Sequence, residues 1–406
     1  MRINSAGGRW KNPIQFVLVI AMMWYYFFSS SFVLRPYPSA FWGLMAVISV
    51  LCGLFINYSL GKMELSMLGS LTVLLLLVPF SVDASASLSR YLYYIIYFLA
   101  ALLLIQIANG KRILVVLLAF SAVHLICIAI QFFFPDIYIA VILPLLPVAK
   151  RNEILEAMNY NVSYYGFTVQ TSAAALYLSI GGLASFVLYR TRKKQRILFL
   201  ILSFAFIIGT FLTVRRGSTA ALLVAITMCF LSKGTNKYTR FLVFPLVVII
   251  IMLFGSDLIP GLGKILNKFS LLESTGDISN GRLQIWSRAL AAFSERPILG
   301  YGAGSFSSVV GGSYAHNSYI NSLVENGIVG TIFFFVPYIY YFRVTLGQYR
   351  ASPAPGTWLS LRFFFQIMFF IMAFFESYFE TPLTMFLYDV VALSTLTSSS
   401  QKEIDI

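Results

Sequence analysis

The chain has 406 residues, of which 59% are hydrophobic and only 11% are charged, and its mean hydropathy is +0.82. Soluble globular proteins contain about 25% charged residues, so this composition excludes an ordinary soluble enzyme and indicates an all-α polytopic membrane protein. The formal net charge of +14 would also suit a nucleic-acid-binding protein. The placement of the basic residues along the chain therefore has to decide between the two classes.

Apolar runs separated by short polar connections predict about twelve transmembrane helices. They lie at residues 14–33, 40–58, 65–81, 89–108, 112–134, 168–189, 196–213, 217–232, 240–256, 317–342, 358–376 and 382–398. The first run is long and no small-residue cleavage site stands out, so we expect a retained span and not a removed signal peptide. Residues 1–406 are therefore predicted to form a single integral membrane domain.

The basic residues are concentrated in the loops on one side of the predicted bundle. If the N-terminus is cytoplasmic, that side holds most of the 29 Lys and Arg residues, including the run "RTRKKQR" at 190–196. Cytoplasmic loops of membrane proteins carry this excess, so we expect both termini to be cytoplasmic. Because membrane insertion accounts for the basic loops, no nucleic-acid partner is predicted.

Two long segments fall on the opposite, extracytoplasmic side. Residues 257–316 form one large loop between helices 9 and 10, and residues 135–167 form a second outer loop. The first contains "SNGRLQIWSRALAAFSERP", an amphipathic helix that could lie along the membrane surface, and a glycine-rich bend at 298–306 that suits flexibility or close approach to a ligand. The second begins with an apolar run too short to span, which predicts a re-entrant or interfacial segment. Its tyrosines suit either sugar stacking or an interfacial aromatic belt.

Two adjacent arginines, Arg215 and Arg216 in "FLTVRRGSTAALL", occupy a short connection on the side that the charge bias disfavours. An arginine near the middle of a span costs roughly 2.5–3.5 kcal/mol on insertion, and less near the interface. The pair either extends to outer-leaflet headgroups or clamps an anion in an extracytoplasmic cavity. A tight turn at Gly217 restricts how far the two side chains can spread, which favours the anion clamp.

The predicted outer face carries a set of basic residues with two carboxylates near the end of the eleventh span. The set is Arg215, Arg216, Arg282 and His316, with Glu376 and Glu380. The sequence has no DxD pair, no GxSxG element and only two histidines, so neither a metal site nor a cofactor is predicted. Guanidinium groups bind phosphate in a bidentate manner, and histidine can accept a proton from a hydroxyl near neutral pH. These residues suit group transfer from a pyrophosphate-linked donor to an alcohol.

Other polar residues are interpreted as structural. His124 lies in the middle of a span, in "SAVHLICIAI", and is expected to pack or to form a hydrogen bond between helices. Glu325 lies nine residues after His316, about 180° around the same helix, so it cannot orient that imidazole from within the helix. The cysteines lie in apolar runs without CxxC spacing and are expected to be small buried hydrophobic residues; they are Cys52, Cys127 and Cys229.

Two elements of the sequence resemble a known family. The segment "GRLQIWSRALAAFSERPILGYGAGSF…AHNSYINSLVENGIVG" (281–330) closely resembles the signature region of the O-antigen ligase/polymerase family, the Wzy/WaaL-type membrane glycosyltransferases. "LTVRRGSTAALL" (212–223) is similar to the family's second element, an arginine before a small residue at the outer end of a span. The resemblance covers residues 170–345 or so in its motifs and the whole chain in outline.

The resemblance implies a GT-C-like helical fold that acts, without a metal, on an undecaprenyl-pyrophosphate-linked glycan at the outer face of the bacterial inner membrane. The family's base, which activates the acceptor hydroxyl, falls on His316. Its two arginines fall on Arg216 and Arg282, where they would hold the pyrophosphate and stabilise the leaving group. Arg215 stands where the family has a serine, so either of the two adjacent guanidiniums could make that contact. The candidate substrate-binding residues are Arg215, Arg288, Asn317 and Tyr319.

Two activities within the family and one outside it are compatible with the sequence. A polymerase transfers the growing glycan to the next lipid-linked repeat unit, which yields O-antigen, capsule or exopolysaccharide, whereas a ligase transfers it to lipid A–core. The run "GFTVQTSAAALYLSIG" (166–181) and the Phe-rich C-terminal region resemble polymerases more closely, so a polymerase is favoured, with membrane lipid, a flippase and a chain-length regulator as further candidate partners. The third activity is a flippase or other transporter, which should show charged residues at mid-membrane on broken helices, or internal repeats. The sequence shows neither clearly.

Overall fold

The computed structural model describes residues 13–28, 38–56, 60–159, 163–192, 194–232, 281–311 and 314–394, and these residues form helices and loops without a β-strand. The helices are α1 (Pro13–Phe28), α2 (Pro38–Ile56), α3 (Lys62–Leu76), α4 (Ala84–Ile107), α5 (Gly110–Phe133), α6 (Val148–Asn159), α7 (Thr171–Thr191), α8 (Arg196–Leu212), α9 (Arg216–Leu231), α10 (Arg282–Glu295), α11 (Ser318–Ala351), α12 (Thr357–Phe375) and α13 (Pro382–Leu393). The predicted ninth span at 240–256, and residues 257–280 of the predicted large loop, lie outside the described residues.

Six helical segments in the described part of the chain are long and apolar enough to cross a membrane. They are Lys62–Phe80, Ala84–Ile107, Gly110–Phe133, Thr171–Thr191, Ser318–Ala351 and Thr357–Phe375. Shorter apolar helices lie at Val17–Phe28, Ala40–Leu51, Pro135–Leu145, Arg196–Leu212, Arg216–Leu231 and Pro382–Leu393. The chain is thus an all-α protein with the spans of a polytopic membrane protein, as its composition predicts. The number of twelve spans, the loop between helices 9 and 10 and the GT-C-like class stay predictions.

Helix α7 lies at the centre of the described bundle. Nearly all of its side chains are buried, and it packs against α5, α8, α9 and α12. Small residues permit these close approaches, as is usual between helices in lipid: a Cβ on Gly181 in α7 would collide with the ring of Phe206 in α8. A Cβ on Gly217 in α9 would likewise collide with Phe375 at the end of α12. The turn at Gly217 therefore brings the start of α9 against the end of α12.

The connection between α12 and α13 is anchored by one aromatic side chain. Phe379 is fully buried, and its ring centroid lies 4.8 Å from that of Tyr338 in α11 and 5.1 Å from that of Phe369 in α12. Aromatic pairs at these separations contribute beyond the area that they bury. The anchor holds residues 376–381 against the middle of α11 and against α12.

Helix α11 is broken at Gly327, where φ is 61° and ψ is −169°. The glycine-rich segment 297–302 pairs with the opened backbone: the N–H of Gly302 donates to the Glu325 carbonyl at 2.6 Å, and the N–H of Ile328 donates to the Pro297 carbonyl at 2.8 Å. Backbone groups within a membrane must find partners inside the protein, and the break is satisfied in this way. The glycines of the bend therefore approach the protein's own backbone, which the sequence did not indicate.

The predicted amphipathic helix is α10, and only part of its apolar face is buried against the rest of the protein. Ala289 and Ala292 are buried in a cluster that also contains Phe306 and Val324, whereas Leu283 is 63% exposed. The indole N–H of Trp286 donates to the Ala315 carbonyl at 2.8 Å. This contact ties α10 to the residue that precedes His316.

The segment after α5 folds back onto that helix. The Tyr138 hydroxyl donates to the Gly166 carbonyl at 2.7 Å, and the Gln131 side-chain oxygen accepts from the N–H groups of Tyr165 and Gly166 at 2.8 and 2.7 Å. The N–H of Tyr164 donates to the carbonyl of Leu212, at the end of α8. The beginning of α7 is thereby placed beside the loop that carries Arg215.

His124 has the structural role that the sequence predicts. It is fully buried, its Nε2 lies 3.2 Å from the Phe27 carbonyl oxygen, and its ring stacks on Phe28 with centroids 5.1 Å apart. It therefore joins α5 to α1. Cys127 and Cys229 are also buried, as predicted, and the side chain of Cys52 lies outside the described residues.

We predict that Gly327→Ala destabilises the protein, because an L-residue is strained at this φ and its Cβ would collide with the Ile298 carbonyl. Strain of this kind costs about 1–3 kcal/mol before the collision is counted. Gly347→Ala is the matched control on the same helix, since a Cβ there meets nothing within 4 Å. Thermal unfolding of the detergent-solubilised protein should show a lower melting temperature for Gly327→Ala alone. Equal melting temperatures for the two variants would contradict the role of the break.

Candidate functional site

Four helix ends meet at the candidate site. Arg215 and Arg216 lie at the start of α9, Arg282 is the first residue of α10, His316 lies two residues before α11, and Glu376 follows the last residue of α12. None of α9, α10 and α11 has an acidic residue in its first turn. Because helix N-termini carry partial positive charge, three helix starts and three arginines make this corner of the bundle strongly electropositive.

His316 and Val214, the residue before Arg215, have backbone angles in the left-handed region. The φ of His316 is +48° and that of Val214 is +58°. Such values are uncommon for residues other than glycine, most of all for a β-branched valine. Strained backbone of this kind clusters at functional sites. The following residue, Asn317, caps α11 by accepting from the N–H groups of Tyr319 and Ile320 at 3.0 and 3.1 Å.

The carboxylate of Glu376 is the centre of the cluster. Its Oε1 lies 2.7 Å from Nη1 of Arg215 and 3.6 Å from Nη2 of Arg282, and its Oε2 lies 3.3 Å from Nδ1 of His316. The two guanidiniums are also fixed by other groups: Nε of Arg215 donates to Thr171 at 2.6 Å, and Nη1 of Arg282 donates to the Phe375 carbonyl at 2.8 Å. Two arginines and one histidine therefore converge on one acidic side chain.

The cluster is recessed but open. The side chain of Glu376 is 8% exposed, whereas those of Arg215, Arg282 and His316 are 29%, 26% and 40% exposed. The carboxylate thus forms the floor, and the cationic groups line the opening above it. A ligand could reach the guanidiniums and the imidazole without displacing the floor.

The electrostatics show an excess of positive charge. Burial alone would raise the pKa of Glu376, but the hydrogen bond with His316 and the charges of Arg215 and Arg282 outweigh it, so this pKa is lowered. Burial also lowers the pKa of Arg282; Glu376 opposes that effect, and the nearby charges of Arg215 and Arg216 add to it. One carboxylate stabilises the cluster without neutralising it, and such a site favours an anion.

The structure brings together some of the predicted site residues. Arg216 is exposed and close enough to Arg282 to lower its pKa. Arg288 is exposed further along α10, beside Gly311, and is not among the residues that contact Glu376. Asn317 is buried as the cap of α11, and the Tyr319 hydroxyl donates to the Phe370 carbonyl at 2.9 Å. The substrate-binding roles of these residues stay predictions.

The sequence places Glu376 on the same outer face as the basic residues but does not predict that it contacts them. It lies 60 positions from His316 along the chain. Its one signal in the sequence is that it ends the apolar run "FFFQIMFFIMAFFE". Glu325, by contrast, is buried and accepts from the Phe306 N–H at 3.2 Å, which agrees with its predicted structural role. Among the residues that the structure describes, no group of three or more His, Cys, Asp and Glu side chains could hold a metal ion.

A second buried carboxyl braces the segment that carries Glu376. The Ser318 hydroxyl lies 2.9 Å from Oε2 of Glu380 and 3.1 Å from the Glu376 carbonyl oxygen, and it accepts from the Phe379 N–H at 3.1 Å. Nη1 of Arg90 donates to the Glu380 carbonyl at 2.6 Å. These contacts join the connection 376–381 to the first residue of α11 and to α4.

We predict that Glu380 makes the protein less stable as the pH rises. Burial raises the pKa of Glu380 from 4.5 to about 8, so between these values the folded protein holds a proton that the unfolded chain has released, and stability falls as pH increases through this window. Glu380→Gln removes this dependence. The melting temperature of the variant relative to wild type should therefore rise between about pH 5 and pH 8, and parallel curves would contradict the assignment. Glu156→Gln, at an exposed position in α6, is the control.

One comparison with known proteins found a match over part of the chain. Residues 201–335 match a family model described as O-antigen ligase. The matched range contains Arg215, Arg216, Arg282 and His316, and Glu376 lies beyond it. No curated protein matches the chain. Over these residues the chain is similar to O-antigen ligases, and its described part contains six helical segments long and apolar enough to cross a membrane.

Proposed function

We propose that the protein polymerises undecaprenyl-pyrophosphate-linked oligosaccharide repeat units at the outer face of the bacterial inner membrane, with both termini cytoplasmic and without a metal. The observation that carries this proposal is the convergence of His316, Arg215 and Arg282 on Glu376. The family supports an O-antigen ligase or polymerase type of function, and the chemistry of the cluster supports transfer from an anionic leaving group to a hydroxyl.

His316 is proposed as the general base. With Nδ1 directed at Glu376, Nε2 is the ring atom that can accept the proton of an acceptor hydroxyl. A carboxylate at Nδ1 holds the imidazole in one tautomer and stabilises the imidazolium that forms. The 40% exposure of the His316 side chain leaves access for an acceptor sugar.

The arginines are proposed to hold the pyrophosphate. Negative charge develops on the phosphate oxygen as the glycosidic bond to the donor sugar breaks, and preorganised cations at that point stabilise the transition state. Arg282 and Arg215 are fixed by contacts to Phe375 and Thr171, whereas Arg216 is more exposed. The fixed pair supplies preorganisation, and Arg216 adds charge at the rim.

The flippase or transporter alternative is less well supported. Helix α11 is broken and Arg362 is buried inside α12, two features that a transporter would show. The break is filled by segment 297–302, however, and Arg362 donates to the Ala392 carbonyl at 2.5 Å and to Gln348 at 3.3 Å. The break and the two Nη atoms of Arg362 thus find partners within the protein, which is typical of structural positions.

The choice between polymerase and ligase is tested with purified protein and a defined lipid-linked repeat unit. A polymerase should lengthen the lipid-linked glycan when that substrate is supplied alone, with or without a chelator. A ligase should produce nothing until lipid A–core is added. Transfer only in the presence of lipid A–core would replace the proposed activity by the alternative one, and loss of activity with the chelator would contradict metal independence.

We predict that His316→Ala lowers the rate of glycan transfer by about 10²–10⁴-fold, the usual contribution of a general base. In cells the variant should accumulate single lipid-linked repeat units while its level in the membrane fraction stays normal. Polymer length on gels and the amount of protein are the two measurements. Polymer of normal length in this variant would exclude His316 as the base.

A further inference from the structure

The cluster has a charge balance that bears on which pyrophosphate it holds. Arg215, Arg216 and Arg282 supply three positive charges, and Glu376 supplies one negative charge at their centre. The arginines outnumber the carboxylate, so the proposed site attracts an anion, and its donor would carry one negative charge on each of two phosphates. A lipid-pyrophosphate-sugar is such a ligand, because both of its phosphates are esterified at the ends. This inference rests on the proposed function.

The proposed reaction changes that ligand charge. The acceptor oxygen forms a bond to the anomeric carbon of the donor sugar, and its proton passes to Nε2 of His316. The bond from the anomeric carbon to the phosphate oxygen breaks, and its electron pair stays on that oxygen. The lipid pyrophosphate that leaves is a monoester, and its terminal phosphate carries one more negative charge than the donor did.

We propose that Glu376 lowers the affinity of the arginine cluster for the more highly charged pyrophosphate monoester relative to its affinity for the diester. The carboxylate is only 8% exposed, and its Oε1 atom already contacts both Arg215 and Arg282. A further anionic oxygen at the same arginines meets this fixed negative charge in a recess where water screens it poorly. The monoester product is therefore held less tightly than it would be without this carboxylate, and Glu376 promotes its release after each transfer.

A role for Glu376 in orienting His316 alone makes a different prediction. An orienting residue changes the rate of proton transfer, but it does not change the relative affinities of two anions that differ by one charge. The binding ratio of diester to monoester therefore separates the two roles, and it can be measured without any turnover.

The test uses the purified full-length protein in detergent with two probes. Farnesyl pyrophosphate is the monoester and its methyl diester replaces the sugar by the smallest possible group. Binding is measured at about pH 8, where the second ionisation of a terminal phosphate is complete. For Glu376→Gln we expect the affinity ratio to shift towards the monoester by about tenfold relative to wild type, the effect of roughly one pKa unit of charge interaction.

Two matched variants control the measurement. Glu376→Asp keeps the charge and should keep the wild-type affinity ratio. Glu380→Gln makes the same chemical change four residues away at a carboxyl that contacts Ser318 and not the arginines, and it should keep the wild-type ratio. Melting temperatures report whether each variant is folded.

The outcomes distinguish the inference from the proposed function. If wild type binds both probes and Glu376→Gln leaves their ratio unchanged, the inference is wrong and the proposed activity stands. If wild type binds neither probe, the arginines do not form a pyrophosphate site and both proposals fail. A shifted ratio in Glu376→Gln alone supports the inference.

Discussion

The buried carboxylate of Glu376 needs charged or hydrogen-bonding partners, and this need brings together the helix ends at the candidate site. Glu376 is almost inaccessible to solvent, and an ionised acid in such a place is stable only when cations and hydrogen-bond donors surround it. Its partners come from α9, α10 and the residues before α11, so one side chain draws four helix ends together. The same contacts leave two arginines and a histidine facing an opening. The interaction that completes the fold here also gathers the basic side chains of the proposed anion site.

The scaffold that presents Glu376 depends on close approaches of backbone. Gly217 lets the start of α9 lie against Phe375, and the break at Gly327 lets segment 297–302 dock onto α11. Phe379 and Ser318 then hold the connection 376–381 in place. The backbone opened at Gly327 finds hydrogen-bond partners within the protein, as a low-dielectric surrounding requires. The site is consequently built on rigid helix ends, which suits preorganised stabilisation of a leaving group.

Many elements of the fold were predictable because lipid imposes simple rules. Runs such as 196–213 and 217–232 agree within a few residues with α8 and α9, since a span must be apolar and helical over its whole length. The sequence also singled out the basic residues of the candidate site, because Arg215 and Arg216 lie on the side of the membrane that the charge bias disfavours. Glu376 was not assigned to them, because helical periodicity relates residues of one helix and Glu376 belongs to another. The break at Gly327 was not visible either, since glycine is compatible with an intact membrane helix.

The sequence by itself determined the class of the protein, its helical segments and a set of candidate residues for chemistry on a phosphate-linked substrate. These properties depend on composition and on order along the chain, because each membrane-spanning segment must be apolar and helical by itself. Only the tertiary structure decided which acid faces His316, which arginines share it and which predicted residues instead cap or brace a helix. Those relations depend on distances between helix ends that are far apart in sequence, and packing alone sets such distances.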